Sequence, residues 1–318
     1  MTGRTLAIGT RGSALALRQA EIVVAALRAA HPGLEPRLVP FKPLGDRDKI
    51  RPLSELGGQG VFVREIEEAL ADGRIDAAVH SLKDLSGHLP VGLTLGAITE
   101  REDPRDCWIS RHGLGLRALP SGATVGTSSP RRATQLRALR PDLAVTDLRG
   151  NIDTRLRKSE AEPYDAIVLA AAGLARMGWG DLVTHFLDPD EWLPMVGQGA
   201  LAVEARADDA ATLALLAPLD HRPTRLTTSA ERAFLRRLGA GCRAAIAAYA
   251  TLDGADGGER LTIRGLIGDP HGTAMFREIV GGDAPTVEAA GALGEELAER
   301  LLARGAEGLV AQVVAGVG

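Results

Sequence analysis

Through the first two thirds of the chain one pattern recurs: a short apolar run, a polar loop rich in Gly, Ser or Thr, then an amphipathic helical stretch. "TLAIG" leads through "TRGS" into "ALALRQAEIVVAALRAA", "IDAAVH" ends in "SLKD", and "ATVG" ends in "TSSPRR". "LAVTDL" ends in "RGNIDTR", and "YDAIVLA" in "AAGLAR". Strands alternating with helices predict an α/β architecture. From about residue 222 the pattern changes. A helix "TRLTTSAERAFLRRL" is followed by three strand-like stretches, "AAIAAYATL", "RLTIRGLIG" and "TAMFREIV", and then by a long helix, "TVEAAGALGEELAERLLARG". Runs of strands closed by a helix predict a small α+β domain with an antiparallel sheet.

In the α/β part, charged or hydroxyl residues fall just past the carboxyl end of each predicted strand: Arg11, Ser13, Lys83, Asp84, Thr127, Ser129, Arg131, Arg132, Arg149, Arg155 and Arg176. That edge is where open α/β sheets bind ligands, so these side chains could converge on one rim. "REDPRD", 101–106, reads as a hinge, and "VGQGALAVEARADD" as the chain crossing back to the first domain. The expected division is an α/β domain of residues 1–100 plus 198–220, a second α/β domain of 101–197, and an α+β domain of 221–318, the first two flanking a cleft. The polar, glycine-rich stretch 42–60 reads as a mobile loop or lid.

Residues 127–158 set seven arginines and a lysine against three aspartates in a chain whose formal charge is −4. Ser129 before Pro130 reads as a helix start, with Ser at the N-cap and Pro at the first helical position, so Arg131 and Arg132 lie in the first turn. Two cations at the positive end of a helix are unfavourable without an anion nearby. The spacing therefore asks for an anionic ligand.

Composition narrows the options. A 45% hydrophobic fraction over 318 residues is enough for two or three cored domains. The pI near 6.0 and 3% aromatic content argue against a general nucleic-acid binder, because few stacking platforms are present. Two cysteines, Cys107 and Cys242, make neither a disulfide framework nor a cysteine-based zinc site, and fit a reducing compartment. The seven histidines are scattered with no HExxH, and no metal is expected. His80 reads as a packed or hydrogen-bonded strand residue. No Walker A, no GxGxxG after a strand and no GxSxG elbow occur. The N-terminus lacks a signal-peptide core and no apolar run reaches spanning length, so a cytoplasmic protein without membrane or nucleic-acid partners, and a monomer, is expected.

Eight motifs occur in order: "GTRGSALALRQ", "HSLKD", "REDPRD", "GTSSPRRATQL", "LRGNIDTRL", "DAIVLAAAGLAR", "VGQGALAVE" and "LGAGCRAAI". Together they resemble the porphobilinogen deaminases, also called hydroxymethylbilane synthases, over nearly the whole chain. The resemblance implies three domains, the first two like a periplasmic-binding-protein pair. It also implies a dipyrromethane cofactor held through a thioether on Cys242, and a transferase that condenses four porphobilinogen molecules head to tail with loss of ammonia, in tetrapyrrole and heme biosynthesis. Every pyrrole carries an acetate and a propionate, so the growing chain is a polyanion, and arginine suits planar carboxylate recognition.

By the family pattern Lys83, Thr127, Ser129, Arg131 and Arg132 would bind the cofactor. Arg11, Ser13, Arg149, Arg155, Arg176 and Gln198 would serve the substrate. Asp84 would be the catalytic group, accepting pyrrole N–H hydrogen bonds, stabilising the positive charge that develops as ammonia leaves and assisting proton transfer. Cys107 reads as a buried apolar residue. The chain departs from the family at Gln59, where lysine is usual, at Ala240 and Ala245, where glycine and proline are usual, and in "KDLSGHLP", which lacks an early proline. The rival readings are a non-enzymatic two-domain anion-binding protein and an RNA-binding protein using the basic segment.

Overall fold

The structure is a computed structural model, and it describes residues 5–42, 63–160, 163–239, 245–253 and 260–315, with side chains up to residue 311. Along the chain the elements run β1 (Thr5–Arg11), α1 (Ala14–Ala30), β2 (Glu35–Phe41), α2 (Arg64–Ala71), β3 (Ala77–Ser81) and β4 (Leu93–Ile98). Next come β5 (Asp106–Ser110), β6 (Thr124–Gly126), α3 (Pro130–Leu139), β7 (Ala144–Thr146), α4 (Ile152–Ser159), β8 (Ala166–Ala170), α5 (Ala171–Met177) and β9 (His185–Phe186). The remainder is β10 (Leu201–Arg206), α6 (Ala210–Leu216), α7 (Arg222–Leu238), β11 (Ala245–Asp253), β12 (Arg260–Gly268), β13 (Met275–Asp283), α8 (Val287–Leu301) and α9 (Glu307–Ala315).

The chain forms two compact units, residues 1–102 with 199–225, and residues 103–198 with 226–318. The first holds a five-stranded sheet in the order β2-β1-β3-β10-β4. The strands β2, β1 and β3 run parallel, while β10 is antiparallel to both of its neighbours. Its core gathers Leu6 and Ile8 of β1, Val23 and Leu27 of α1, Val79 of β3 and Val203 of β10. β2 carries Pro36 and Pro40, and proline cannot donate to a ladder, so the strand sits at the sheet edge. Gly199 opens the entry to β10 with φ +93°, and a Cβ there would lie 2.2 Å from the carbonyl oxygen of Glu102. Only glycine lets these two backbone segments come so close.

The second unit repeats that topology in the order β7-β6-β8-β5-β9, again with three parallel strands and then an antiparallel one, β5. Trp108, Val125, Leu136, Val168 and Trp192 fill one face. The same unit holds the antiparallel sheet β11-β12-β13, whose core is closed by Phe234 of α7 and Leu297 of α8. Buried Glu231 of α7 accepts the backbone N–H groups of Gly197 (2.7 Å), in the turn before β10, and Ala250 (2.9 Å), inside the edge strand β11, so a carboxylate supplies the partner that these two buried donors need. Two mixed α/β sheets and a small three-stranded antiparallel sheet with helices are the fold class expected from the sequence.

Candidate functional site

α3 begins where the sequence places it, with Ser129 at the N-cap in extended conformation and Pro130 at the first helical position. Its hydroxyl makes no capping hydrogen bond, which differs from the expected side-chain cap. Two residues back, Thr127 Oγ1 accepts the Ser129 N–H at 3.2 Å, and Thr127 is itself buried. Arg131 and Arg132, in the first turn, are only 2% and 6% exposed. A buried cation needs a counter-charge, and this one comes from within the unit.

Asp106, the first residue of β5, is fully buried and receives four donors. Its Oδ1 accepts Arg132 Nη2 at 2.6 Å and Gln198 Nε2 at 2.9 Å, and its Oδ2 accepts Arg131 Nη1 at 2.7 Å and Trp192 Nε1 at 2.8 Å. Burial by itself would raise the Asp106 pKa, but the charges and hydrogen bonds of Arg131 and Arg132 outweigh it and hold the carboxyl far below the usual range. Arg131 Nη1 also donates to Leu193 O (2.7 Å), and Arg132 Nη1 to Val168 O (2.9 Å). The Nε–H of each arginine is buried and has no partner among the described residues.

The helix is seated from its other side as well. Thr134 Oγ1 donates to Asp269 O at 2.6 Å, in the turn joining β12 to β13, and Gln135 exchanges hydrogen bonds with both backbone groups of Leu193. Arg149 and Arg155 flank the "RGN" turn, where Gly150 takes φ +118°. Arg149 Nε donates to Asp147 (2.8 Å), and Arg155 Nε to Gly150 O (2.7 Å). Arg176 stands part-exposed in the last turn of α5. Gln198, expected toward the substrate, is 1% exposed and points its amide at Asp106 and at the carbonyls of Pro104 and Arg105.

In the first unit the structure brings together another part of the expected set. Arg11 ends β1, Ser13 caps α1 through Ala16 N, and Lys83 and Asp84 form the short 3-10 turn that follows β3. Leu82, the buried first residue of that turn, donates its N–H to Ala200 O at 3.0 Å and so ties the turn to the entry of β10. Arg11 Nη1 stands 3.6 Å from Asp84 Oδ2, an ion pair without a close hydrogen bond. His80 is buried and faces Glu204 of β10, with Nε2 3.3 Å from Oε2. Among the described residues no group of three His, Cys, Asp or Glu side chains is placed to hold a metal.

Cys107 lies in the sheet with its thiol pKa pushed up to about 12, by burial first and by the charge of Asp106 second. This matches the apolar reading of that cysteine. Cys242, Gln59, Ala240 and the stretch 43–60 of the predicted lid lie outside the described residues. Asp106 and Trp192 were not singled out by the sequence reading, which took "REDPRD" for a hinge. The only signal was the aspartate itself, since nothing local shows that it meets arginines 25 and 26 residues onward.

Comparison with known families decides the assignment. Residues 6–214 match the family model "Porphobilinogen deaminase, dipyromethane cofactor binding domain", and residues 225–303 match "Porphobilinogen deaminase, C-terminal domain". The chain belongs to the porphobilinogen deaminase family. The porphobilinogen deaminase of Roseiflexus sp. (strain RS-1) is 51% identical over 308 residues, covering 97% of this chain and 99% of that protein. The porphobilinogen deaminase of Roseiflexus castenholzii (strain DSM 13941 / HLO8) is 51% identical over 307 residues, covering 96% and 99%. A TRAP periplasmic solute binding protein from Desulfovibrio salexigens shows a TM-score of 0.42 at 8% identity, covering 68% of this chain and 72% of that one. Membership of the porphobilinogen deaminase family disfavours the binding-only reading, and among the described residues no helix is long and apolar enough to cross a membrane.

Proposed function

We propose that this chain is a hydroxymethylbilane synthase in which the buried Arg131–Arg132 pair holds carboxylates of a dipyrromethane cofactor and Asp84 serves the chemistry. Family membership carries the reaction class: a transferase of tetrapyrrole biosynthesis that joins porphobilinogen units with loss of ammonia. The observation that supports the arginine assignment is the pair of buried Nε–H donors without partners among the described residues. Two guanidinium charges against the single Asp106 charge leave one positive charge over, and the donors of a guanidinium are arranged to match a carboxylate. A ligand bearing several acetate and propionate groups fits such a remainder.

The cofactor, attached in this proposal through the Cys242 sulfur, supplies a primer onto which the first substrate is joined. The chain's own residues do the rest. In the second unit Arg131, Arg132, Ser129 and Thr127 hold carboxylates, while Arg149, Arg155 and Arg176 meet those of incoming substrate. Gln198 serves through Asp106. In the first unit Lys83 contributes to cofactor binding, and Arg11 and Ser13 orient substrate. Asp84 accepts pyrrole N–H groups, offsets the positive charge that builds as the carbon–nitrogen bond to ammonia breaks, and takes the proton from the pyrrole carbon once the new carbon–carbon bond has formed. Its 3.6 Å distance from Arg11 leaves the carboxylate oxygens with acceptor capacity for that work.

Three separate sheets support dividing the chain at 1–100 plus 198–220, 101–197 and 221–318, with Cys242 in the third part; a monomer without nucleic-acid partners is part of the same proposal. The deciding experiment is the intact mass of denatured protein before and after exposure to porphobilinogen. A covalent excess of two pyrrole units, growing by single pyrrole units with matching ammonia release, is expected. Hydroxymethylbilane formation without any such excess would defeat the proposal of a covalent primer.

A further inference from the structure

Asp106 occupies a position that the assignment of binding residues leaves out. It touches no outward-facing rim, is fully buried, and has both oxygens saturated, each by one arginine and one neutral donor. A structural counter-ion would need only to balance charge, and its oxygens could be satisfied by any donors. Here the pairing is sorted. Oδ2 takes Arg131 together with the Trp192 indole, and Oδ1 takes Arg132 together with the Gln198 amide.

Each arginine gives Asp106 a terminal Nη and keeps its Nε–H away from it. Carbonyls lock the remaining geometry: Leu193 O accepts a second bond from Arg131 Nη1, and Val168 O accepts from Arg132 Nη1. The planar guanidinium has no free torsion beyond Nε, so fixing its Nη groups fixes the direction of Nε–H as well. Adjacent guanidinium groups at the positive end of α3 repel each other, and a single carboxylate between them is what lets both stay buried with donors left over.

We propose that Asp106 is the positioning residue of the cofactor-binding arginines, its two oxygens setting Arg131 and Arg132 separately so that one edge of each guanidinium is kept for a ligand carboxylate. The inference rests on the reading of those arginines as cofactor ligands, yet the positioning itself is a property of the protein alone. Asp106 reaches the ligand only through them. Its hydrogen-bonded, strongly acidic state, lowered by the two arginines against the effect of burial, keeps the hub charged throughout the neutral range.

The test uses the full chain and reads the Nε–Hε resonances of Arg131 and Arg132, assigned by Arg→Lys substitution, with their hydrogen-exchange rates, alongside cofactor loading by intact mass. Trp192→Phe removes the neutral donor from Oδ2, and Gln198→Leu removes the one from Oδ1; neither changes the charge. Trp192→Phe is expected to speed exchange at Arg131 at least threefold more than at Arg132, and Gln198→Leu to do the reverse. Asp106→Asn is expected to abolish protection at both and to slow cofactor loading at least tenfold, with Asp106→Glu loading faster than Asn.

Equal responses of both arginines to each neutral variant, or no response, would show that Asp106 balances charge without positioning. Should Asp106→Asn not fold, the two neutral variants decide the matter alone. The crossed exchange pattern in the two neutral variants, found together with wild-type protein that never gains the two-pyrrole mass, would overturn the cofactor reading and leave the positioning role standing.

Discussion

Each of the two units contains an Arg–Asp pair near the carboxyl edge of its sheet, and the two pairs are built in opposite ways. Asp106 is fully buried and takes four close hydrogen bonds, two of them from arginines at 2.6 and 2.7 Å. Asp84 has a side chain 34% exposed and meets Arg11 at 3.6 Å, on a short turn just after β3. The difference teaches what each carboxylate can be used for. A saturated, desolvated aspartate cannot accept another proton or hydrogen bond without breaking what it holds, so it serves as framework. An aspartate with acceptor capacity left over can change partners during a reaction. Equal chemistry in the side chain thus yields a fixed hub in one unit and a candidate reactive group in the other, and the environment alone makes the distinction.

The hardest break to this contrast is loss of the ligand that both units are proposed to serve. Cys242→Ala is expected to fold and to retain no covalent cofactor, whereas Cys107→Ala, which alters a buried thiol hydrogen-bonded to Leu169 O, should retain it; the masses of both denatured variants check this. A pyrrole adduct surviving in Cys242→Ala would move the attachment site elsewhere. Next in size is Asp84 itself. Asp84→Asn keeps the shape and one acceptor oxygen but removes the charge, and it is expected to add on the order of 3 to 5 kcal/mol to the barrier, while Asp84→Glu loses less. Single-turnover ammonia release on cofactor-loaded protein measures it, and a near-parental rate for Asn would leave Asp84 as a partner of Arg11 only.

Acid titration sharpens the other half of the contrast. Because folding depresses the Asp106 pKa, the unfolded chain binds more protons between the folded and unfolded values, so stability from this residue is complete above about pH 4 and lost as pH falls below it. Asp106→Asn, which strands two buried cations, should cost about 3 to 5 kcal/mol at neutral pH and lose stability less steeply below pH 4. Urea midpoints from pH 6 to pH 3 supply the comparison; identical slopes for parent and variant would contradict it. The smallest effect is expected at Ser129. With no capping hydrogen bond to lose, Ser129→Ala should cost less than about 0.5 kcal/mol rather than the ~1 kcal/mol of a working cap, while slowing cofactor loading if the hydroxyl holds a carboxylate. Thermal melts and loading rates separate the two.

Much of the fold was legible because its signals are local. The Ser–Pro start of α3, the apolar strands β1, β3 and β8 and the change to an antiparallel sheet after residue 222 all follow from spacing within a dozen residues. β2 escaped because its two prolines argue against a strand, and only its place at the sheet edge makes them harmless. β5 escaped because "REDPRD" has the composition of a connector, yet its last residue opens a strand paired with β8. The candidate site divides the same way. Residue types and order named the arginines, Lys83 and Asp84, but periodicity cannot say which arginines turn inward.

The sequence alone therefore determined the alternation of strands and helices, the positive cluster at the start of α3 and the order of motifs that marks the family, because each is written in neighbouring residues or in their order. Tertiary structure alone decided that Asp106 would stand between Arg131 and Arg132, that Gln198 would reach it from 92 residues away, and that Asp84 would stay loosely paired. Those outcomes depend on which groups share a buried volume. Desolvation makes an unpaired charge so costly there that partners far apart in the chain must be brought together, and no stretch of sequence records that meeting by itself.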